Sequence, residues 1–308
     1  MAFRLRFTRP ARGRLLVSAM YVSIACLAAL TAHASPSLIT SVDFTSSPRG
    51  HVLVPVSIDG SELLVFVLDT GAGKTLVTPS LVERLGLEKA PGGSTTTLGM
   101  HGTTENATVE LRSLAVGEAQ VADVQAVVLD LDHITQGKWR ADGVLGIDFL
   151  GQFDIRLDYR ASTVSLYSAA SDRSNCAACP AGAYGIAFET IDPGFIVLPA
   201  TVAEKPLKAV LDTGSGHSGL NGKAAAALGV ALPPMSADTP AGHGFGIQTG
   251  PVRVGDTVLT ERATLHVMNH PVMEALGLAD GPTMLMGTDQ LEGRTVTICY
   301  RLGSLFLQ

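Results

Sequence analysis

The sequence predicts a mostly β, two-lobed fold in which each lobe is a closed β-barrel with short helices. The first observation behind this prediction is a repeat: residues 68–73 read LDTGAG and residues 211–216 read LDTGSG. Each copy ends an apolar run, which is typical of a strand buried on both faces. The second observation is that an apolar segment with a central glycine follows each copy at a similar distance, at residues 144–150 and 285–291.

Each half also closes on a similar pair of short strands. Residues 155–160 and 164–166 in the first half correspond to residues 296–301 and 304–307 in the second. One duplication of this length predicts two related lobes rather than a solenoid, which would need more and shorter repeats. The predicted domains are a first lobe at residues 48–168, a linker at 169–182 and a second lobe at 183–308.

The first half begins with an alternating run at residues 51–58, which predicts a half-buried strand. Asp59 and Gly60 then give a two-residue hairpin signal, and residues 63–68 run continuously apolar into Asp69. This second strand therefore delivers a carboxylate to a turn, where glycine gives the backbone the freedom to reverse.

A short helix is predicted after each repeated turn. In the first half, residues 80–83 (SLVE) match a capping box and Gly86 marks the end of the helix. In the second half, residues 224–228 before Gly229 hold the corresponding place. Further short β-rich runs in the two lobes are residues 121–128 and 263–267.

The N-terminal segment predicts export. It carries five arginines and no acid before an apolar stretch at residues 15–30, and small residues at 32–34 suit a cleavage site. We expect a signal peptide over residues 1–34 and a periplasmic or secreted mature protein. The alternative is an uncleaved segment that tethers the protein to a membrane, because the apolar stretch approaches spanning length.

The charge balance argues against nucleic acid as a partner. The leader holds five of the 22 basic residues and none of the 28 acidic ones, so its removal lowers the formal net charge from −6 to −11. An acidic protein without a basic stripe is a poor nucleic-acid binder. We therefore expect no nucleic-acid partner, and a membrane partner only if the leader stays uncleaved.

Neither a metal nor a cofactor is expected. Residues 72–75 (AGKT) resemble the end of a phosphate-binding loop, but Leu68 stands where that motif needs its first glycine. Cys176 and Cys179 lie in the linker, and with Cys299 they are the cysteines that remain after leader removal. A zinc site would need a second pair of ligands at the right spacing. A disulfide is favoured, and its pairing is open.

At the two Asp-Thr-Gly turns and the two glycine segments that follow them, the sequence resembles the aspartic protease superfamily of pepsin-like and retropepsin-like enzymes. The resemblance implies a two-lobed acid-protease fold in which Asp69 and Asp212 form one catalytic pair. It also implies that hydrogen bonds of Thr70 and Thr213 join the two turns. Further residues expected to support the turns are Gly71, Ala72, Gly214 and Ser215.

Two adjacent carboxylates are expected to share one proton. Unit charges about 4 Å apart repel by about 4 kcal/mol at an effective dielectric constant of 20, equivalent to about 3 pKa units. One carboxylate can then accept a proton from water while the other protonates the scissile carbonyl, as in aspartic proteases generally. A hydrogen bond from the Ser215 hydroxyl would place the charge on Asp212 and the proton on Asp69. The polar residues Asp148 and Asp289 are expected only to cap chain ends.

Two glycine-rich segments are candidate flap tips that would bind substrate: residues 99–102 (Gly99, Met100, His101 and Gly102) and residues 244–246 (Gly244, Phe245 and Gly246). The alternative is a mobile glycine loop with no binding role. The first segment lacks the tyrosine of pepsin flaps, and Ala72 stands where pepsins usually carry Ser or Thr. Both departures favour the retropepsin-like branch. Gly73 lacks the acid with which retropepsins contact the substrate backbone.

The favoured function is an aspartic endopeptidase that cleaves peptide or protein substrates. We expect a monomer, because one chain carries both turns. The alternative is a peptide-binding protein on the same duplicated scaffold that does not cleave its ligand. Both aspartates are present, and a binding protein has no chemical need for two of them, which favours the enzyme.

Overall fold

The computed structural model describes residues 37–99, 102–131, 139–169, 176, 178–179, 184–231, 245–268 and 271–308. The predicted signal peptide at residues 1–34 lies outside this set, as does most of the predicted linker. The described residues belong to one compact unit and are mostly β-strand. Among them, no helix is both long enough and apolar enough to cross a membrane.

The elements of the first half are, in chain order, β1 (Leu38–Asp43), β2 (Thr45–Ser46), β3 (Val52–Ile58), β4 (Leu64–Leu68), β5 (Leu76–Val77), α1 (Pro79–Leu85), β6 (Lys89–Gly99), β7 (Gly102–Val116), β8 (Ala119–Val128), β9 (Gly143–Leu145), α2 (Ile147–Leu150), β10 (Phe153–Asp158) and β11 (Thr163–Ser168).

The elements of the second half are β12 (Ile186–Ala187), β13 (Glu189–Ile191), β14 (Phe195–Val202), β15 (Lys205–Leu211), β16 (Gly219–Leu220), α3 (Gly222–Ala227), β17 (Phe245–Thr249), β18 (Val252–Val254), β19 (Thr257–Thr260), β20 (Ala263–Val267), α4 (Pro271–Ala275), β21 (Thr283–Met286), β22 (Thr295–Cys299) and β23 (Ser304–Leu307). A 3₁₀ turn, Thr288–Gln290, follows β21.

Each lobe is one curled sheet. In the first lobe the strand order is β2-β3-β4-β9-β5-β8-β7-β6, and β3 also pairs with β7, which closes the sheet. In the second lobe the order is β17-β20-β16-β21-β15-β14-β18-β19, with β13 beside β14. The long strand β7 of the first lobe corresponds to two consecutive short strands of the second lobe, β17 and β18. In the same way β8 corresponds to β19 and β20. The predicted duplicated, mostly β fold is confirmed.

The repeated turn lies at the same point in both sheets. β4 pairs in parallel with β9, and β15 pairs in parallel with β21. A short strand after each turn, β5 or β16, pairs antiparallel with that same neighbour. Both strands that lead into the turns end in fully buried side chains, Leu68 and Leu211. The chain therefore leaves the core, makes the turn and re-enters on the other side of β9 or β21.

A third sheet joins the two halves, in the order β1-β11-β10-β22-β23-β12. Its centre is the antiparallel pair of β10 and β22, with Leu157 opposite Val296. These strands are the ones that the repeat at the end of each half predicts. β1 and β12 form the two edges, so the chain that precedes each lobe also contributes to the shared sheet.

Most local predictions hold. The strand before the first turn is less buried than predicted, because Val65 is 39% exposed and Leu63, just before β4, is 74% exposed. Asp59 and Gly60 both have positive φ, 51° and 76°, as a tight hairpin turn requires. Gly86 ends α1 in the left-handed conformation. The capping box at residues 80–83 is wrong, because the helix begins at Pro79 and the Thr78 side chain accepts the hydrogen bond of Leu81 N–H. Proline at the first helical position fixes this earlier start.

Candidate active site

The two repeated turns hold their aspartates in the same way. Gly71 N–H donates to Oδ1 of Asp69 at 2.7 Å, and Gly214 N–H donates to Oδ1 of Asp212 at 2.9 Å. The backbone of each aspartate is also fixed by its neighbouring strand, since Asp69 N–H donates to the Leu145 carbonyl at 3.1 Å. A backbone amide two residues further on thus orients each carboxylate.

The fold brings the two carboxyl groups into contact. They share a side-chain hydrogen bond. A Cβ placed on Gly71 would lie 2.5 Å from Cγ of Asp212, and a Cβ placed on Gly214 would collide with the carboxyl of Asp69. Each glycine therefore provides the space for the aspartate of the other lobe, in addition to its role in its own turn.

A symmetric set of four hydrogen bonds joins the two turns. Thr70 N–H donates to Oγ1 of Thr213 at 3.0 Å, and Thr213 N–H donates to Oγ1 of Thr70 at 3.1 Å. Each hydroxyl donates in turn across the interface, from Thr70 to the Leu211 carbonyl at 3.0 Å and from Thr213 to the Leu68 carbonyl at 2.8 Å. Both threonines are fully buried. Their geometry is the one that the family resemblance implies.

Loss of either hydroxyl is expected to destabilise the protein. Thr70→Val leaves Thr213 N–H and the Leu211 carbonyl without their partner, at about 1–3 kcal/mol for each buried group. We expect the melting temperature to fall by about 5–15 °C. Thr297→Val is the matched control, because the Thr297 hydroxyl is buried and has no hydrogen-bond partner among the described residues. Equal melting temperatures for the two variants in calorimetry would contradict the role of Thr70.

A second pair of contacts supports the chain after each turn. Asp148 accepts hydrogen bonds from Thr75 N–H at 3.0 Å and from the Thr75 hydroxyl at 2.7 Å. In the second lobe the Ser218 hydroxyl donates to Asp289 at 2.6 Å. These acids therefore do more than cap a chain end. The roles of the Thr75 and Ser218 hydroxyls were not predicted, although the two residues hold the same place in the repeat, at the same sequence separation from Asp69 and Asp212.

Two loops cross from one lobe to the turn of the other. A Cβ on Gly73 would lie 2.8 Å from Cγ of Pro193, in the loop between β13 and β14. A Cβ on Gly216 would collide with the backbone carbonyl of Arg49, in the loop between β2 and β3. The glycine after each Asp-Thr-Gly turn is therefore required for lobe packing. This explains why Gly73 does not carry an acid.

The candidate flap residues are only partly described. β6 and β7 form a long hairpin whose ends, Gly99 and Gly102, are paired with each other. Met100 and His101, between them, lie outside the described residues. β6 contacts helix α4, so the hairpin of the first lobe reaches the second lobe. The flap role of this hairpin stays a prediction.

In the second lobe, Gly244 lies outside the described residues. Phe245 and Gly246 belong to β17, where they pair with Val267 and His266 of β20. The two lobes therefore differ here: the first residues of β7 pair only with β6, whereas those of β17 are hydrogen-bonded to the sheet of their own lobe.

Comparison with known proteins agrees with this geometry. Residues 54–149 match the family model described as aspartyl protease. The matched segment lies wholly within the first half of the chain. Among solved structures, a retropepsin-like aspartic protease from Rickettsia conorii is similar at 19% identity over 44% of this chain and 94% of that one, with a TM-score of 0.30. No curated protein matches the sequence.

The protonation of Asp69 and Asp212 follows from burial. Burial raises the pKa of Asp69, although hydrogen bonds from Gly71 N–H and from Asp212 oppose the rise. Burial also raises the pKa of Asp212 well above its usual range, and the negative charge of Asp69 raises it further. The pair therefore keeps one shared proton at a pH where an exposed aspartate is ionised.

The predicted role of the Ser215 hydroxyl is wrong. The Ser215 Oγ donates to the His217 carbonyl at 2.8 Å. The path of the chain after the turn brings this carbonyl, two residues later, within reach of the hydroxyl. Ser215 reaches Asp212 through its backbone N–H instead. The side-chain difference between Ala72 and Ser215 therefore does not place the charge on Asp212. Both residues hold their turns through the backbone, as shown by Ile147 N–H donating to the Ala72 carbonyl at 2.8 Å.

The raised pKa of Asp212 predicts a pH-dependent stability. The folded protein binds this proton more tightly than the unfolded chain does. The stabilisation is therefore complete below about pH 3.9 and is lost as the pH rises through the folded pKa. Because asparagine cannot ionise, Asp212→Asn should raise the melting temperature at pH 7, with a smaller gain at pH 4.

Asp158→Asn should behave in the opposite way. Hydrogen bonds from Ala161 N–H and Arg160 N–H lower the pKa of Asp158, so its contribution is present above the unfolded pKa and is lost in acid. This variant should melt below wild type at pH 7 and approach it in acid. Thermal scans at a series of pH values test both signs. A gain for Asp212→Asn that does not change with pH would contradict the raised pKa.

A cavity of about 370 Å³ lies beside the Asp69 turn. Its wall includes Gly73 and Lys74 from the first lobe, Pro193 and Gly194 from the second, and Tyr300 after the shared sheet. Neither Asp69 nor Asp212 lines it, so the cavity adjoins the Asp69 turn without containing the carboxyl pair.

Three potential metal ligands come together elsewhere among the described residues. The sulfurs of Cys176, Cys179 and Cys299 lie within 4.8 Å of one another. A disulfide between Cys176 and Cys299 engages two of them, which resolves the pairing that the sequence left open. Cys179 is a free thiol.

Proposed function

We propose that this protein is an aspartic endopeptidase that hydrolyses peptide bonds with the dyad Asp69 and Asp212. The observation that supports this most is the contact between the two carboxyl groups, each oriented by a backbone amide of its own turn. The interlocked threonines hold the two turns in register. A pair fixed in this way needs little rearrangement when the reaction occurs.

The proposed mechanism uses the two carboxyls as base and acid. In the proposed assignment the ionised Asp69 accepts a proton from a water molecule as that water attacks the peptide carbonyl, and the protonated Asp212 gives its proton to the carbonyl oxygen. The result is a tetrahedral diol intermediate. As the C–N bond of this intermediate breaks, Asp69 gives its proton to the leaving nitrogen and Asp212 takes a proton from a diol hydroxyl, which leaves a carboxylic acid and an amine. Every proton is thus exchanged with one of two groups in hydrogen-bond contact, and no covalent enzyme intermediate forms.

The proposed substrate is an extended segment of a peptide or protein. A strand-like peptide can form backbone hydrogen bonds with an exposed hairpin, which is a general mode of peptide recognition. The β6–β7 hairpin provides such an edge and extends to α4 of the second lobe. Cleavage at internal bonds is part of this proposal, since a peptide bound as an added strand can extend past the hairpin in both directions.

We further propose that the protein acts as a monomer outside the cytoplasm. Both halves of the dyad come from one chain, so catalysis requires no second copy. The charged, apolar and small-residue pattern of residues 1–34 supports export, as a cleaved signal peptide or as a membrane tether. The acidic net charge makes peptides and proteins better candidates for partners than nucleic acid.

A diverse peptide library tests the proposed function. The purified protein should convert library peptides into two fragments cut at internal bonds, and a peptide containing statine should inhibit this reaction. Mass spectrometry of the products gives the cleavage sites. The competing function, peptide binding without cleavage, predicts that peptides are retained on the immobilised protein and recovered intact. Intact recovery across the library at acidic and neutral pH would overturn the endopeptidase proposal.

A further inference from the structure

The three cysteines form a cluster at the outer side of the shared sheet. Cys176 and Cys299 are bonded, with their Cα atoms 6.0 Å apart, a separation normal for disulfides. The free sulfur of Cys179 lies within 4.8 Å of both bonded sulfurs. A thiol at this distance from a disulfide needs only a small movement to attack it.

The backbone around Cys179 favours such an attack. Cys179 N–H donates to the Cys176 carbonyl at 3.2 Å, so the two residues lie in one turn and direct both side chains towards Cys299. Cys299 is fully buried at the end of β22, whereas Cys179 is half-buried. The sheet residue Phe306 and the linker residue Ala178 complete the apolar surroundings.

We propose that Cys179 is the exchange partner of the Cys176–Cys299 disulfide, so that either linker cysteine can tether the linker to β22. In the exchange, the Cys179 thiolate attacks the sulfur of Cys299, the Cys179–Cys299 bond forms, and the Cys176–Cys299 bond breaks. Cys176 leaves as a thiolate and takes up a proton, while Cys179 has released one. One thiol and one disulfide are present before and after the exchange, so no external oxidant or reductant is consumed.

Attack on the other sulfur has a different result. If the Cys179 thiolate attacks Cys176, the new bond joins two residues of the linker and Cys299 becomes the free thiol. The linker is then no longer tethered to the sheet. Both routes start from the same cluster, and neither depends on the proposed peptidase activity.

The rate of exchange should depend on pH. Burial raises the pKa of the Cys179 thiol, and the negative charge of Asp154 raises it further. Asp154 lies opposite Cys299 in the pairing of β10 with β22, and Tyr167 of β11 is the other titratable group beside the cluster. Only the thiolate attacks. At pH values below the pKa of Cys179, the exchange rate should therefore rise about tenfold for each unit by which the pH is increased. The native bond should therefore persist at neutral pH.

Three single variants of the full chain test the exchange. Each is equilibrated with reduced and oxidised glutathione, quenched with acid, alkylated and mapped by peptide mass spectrometry. Cys176→Ser should form the Cys179–Cys299 bond and retain most of the wild-type melting temperature. Cys179→Ser, the matched control, should keep the Cys176–Cys299 bond. Cys299→Ser should lose the tether and melt at the same lower temperature with and without reductant.

Wild-type protein gives a test that needs no variant. Incubation at pH 9 without glutathione should produce molecules in which Cys176 or Cys299, rather than Cys179, is the alkylated thiol, and incubation at pH 6 should produce at least about tenfold fewer in the same time. The proposal is overturned if Cys179 is the only thiol labelled at pH 9. Two free thiols in Cys176→Ser would overturn it as well.

Discussion

Asp69→Asn and Asp212→Asn are each expected to lower the rate of peptide hydrolysis by on the order of 10⁴-fold. The carboxyls share one proton, and the proposed reaction needs one charged and one protonated member. Asparagine keeps the size of the side chain and can still accept a hydrogen bond from the turn amide, but it can neither take nor give the proton. Steady-state kinetics on a library-derived peptide, in both variants, gives the loss directly.

The fold must remain intact for this loss to be meaningful. Both variants should melt at or above the wild-type temperature near neutral pH. Each removes a carboxyl group whose pKa is raised because burial disfavours its ionised form. Asp158→Asn serves as the activity control, because that acid caps a turn in the shared sheet through Arg160 N–H and Ala161 N–H. It should retain wild-type turnover. Activity within tenfold of wild type in either dyad variant would show that the reaction does not use the pair as a unit.

Gly71→Ala and Gly214→Ala are expected to reduce kcat/KM by on the order of 10²-fold or more. An added methyl group on Gly71 would lie 2.5 Å from Cγ and Oδ1 of Asp212, far inside van der Waals contact. Either the carboxyl or the turn must then move, and displacement of about 1 Å is enough for a loss of this size. The strain should also lower the melting temperature by a few degrees, as overpacking in a core does. Kinetics and thermal scans measure the two effects.

Gly281→Ala is the matched control for these glycine variants. No described atom lies within 4 Å of a Cβ placed on Gly281. The same chemical change should therefore leave activity and melting temperature nearly unchanged. If Gly71→Ala also leaves kcat/KM unchanged, the carboxyl of Asp212 does not occupy the space beside Gly71 during catalysis.

The sequence predicted the features that depend on local pattern and on the repeat. The two Asp-Thr-Gly turns, the paired strands at the end of each half and the hairpin turn at Asp59 and Gly60 all follow from hydrophobic period and turn chemistry. Duplication added the long-range information, because two copies of one turn indicated a shared site before any contact was known. Asp69 and Asp212 do meet in the structure.

The features that were missed depend on contacts between the lobes. Nothing local marks the loop residues Arg49 and Pro193 as neighbours of Gly216 and Gly73, since each contact joins segments more than a hundred residues apart in the chain. The Ser215 hydroxyl was misplaced for a related reason. The sequence names a donor, but only the path of the turn decides whether the carboxylate or the His217 carbonyl accepts from it.

The start of helix α1 illustrates competition between two local signals. Residues 80–83 match a capping box, but Thr78 followed by Pro79 is also a good start, and the structure uses it. Pro79 is suited to the first helical position because its fixed φ matches the helix and its missing N–H needs no partner there. This residue therefore decides between the two starts.

The account's central claim is that one chain supplies both halves of one catalytic site. Its most direct test is turnover per molecule, measured over a thousandfold dilution of wild type and in equimolar mixtures of Asp69→Asn with Asp212→Asn. We predict constant turnover per molecule on dilution and no activity in the mixtures, because each chain closes its own dyad. Turnover that collapses on dilution, or activity that returns when the two inactive variants are mixed, would place the site between chains and contradict the account.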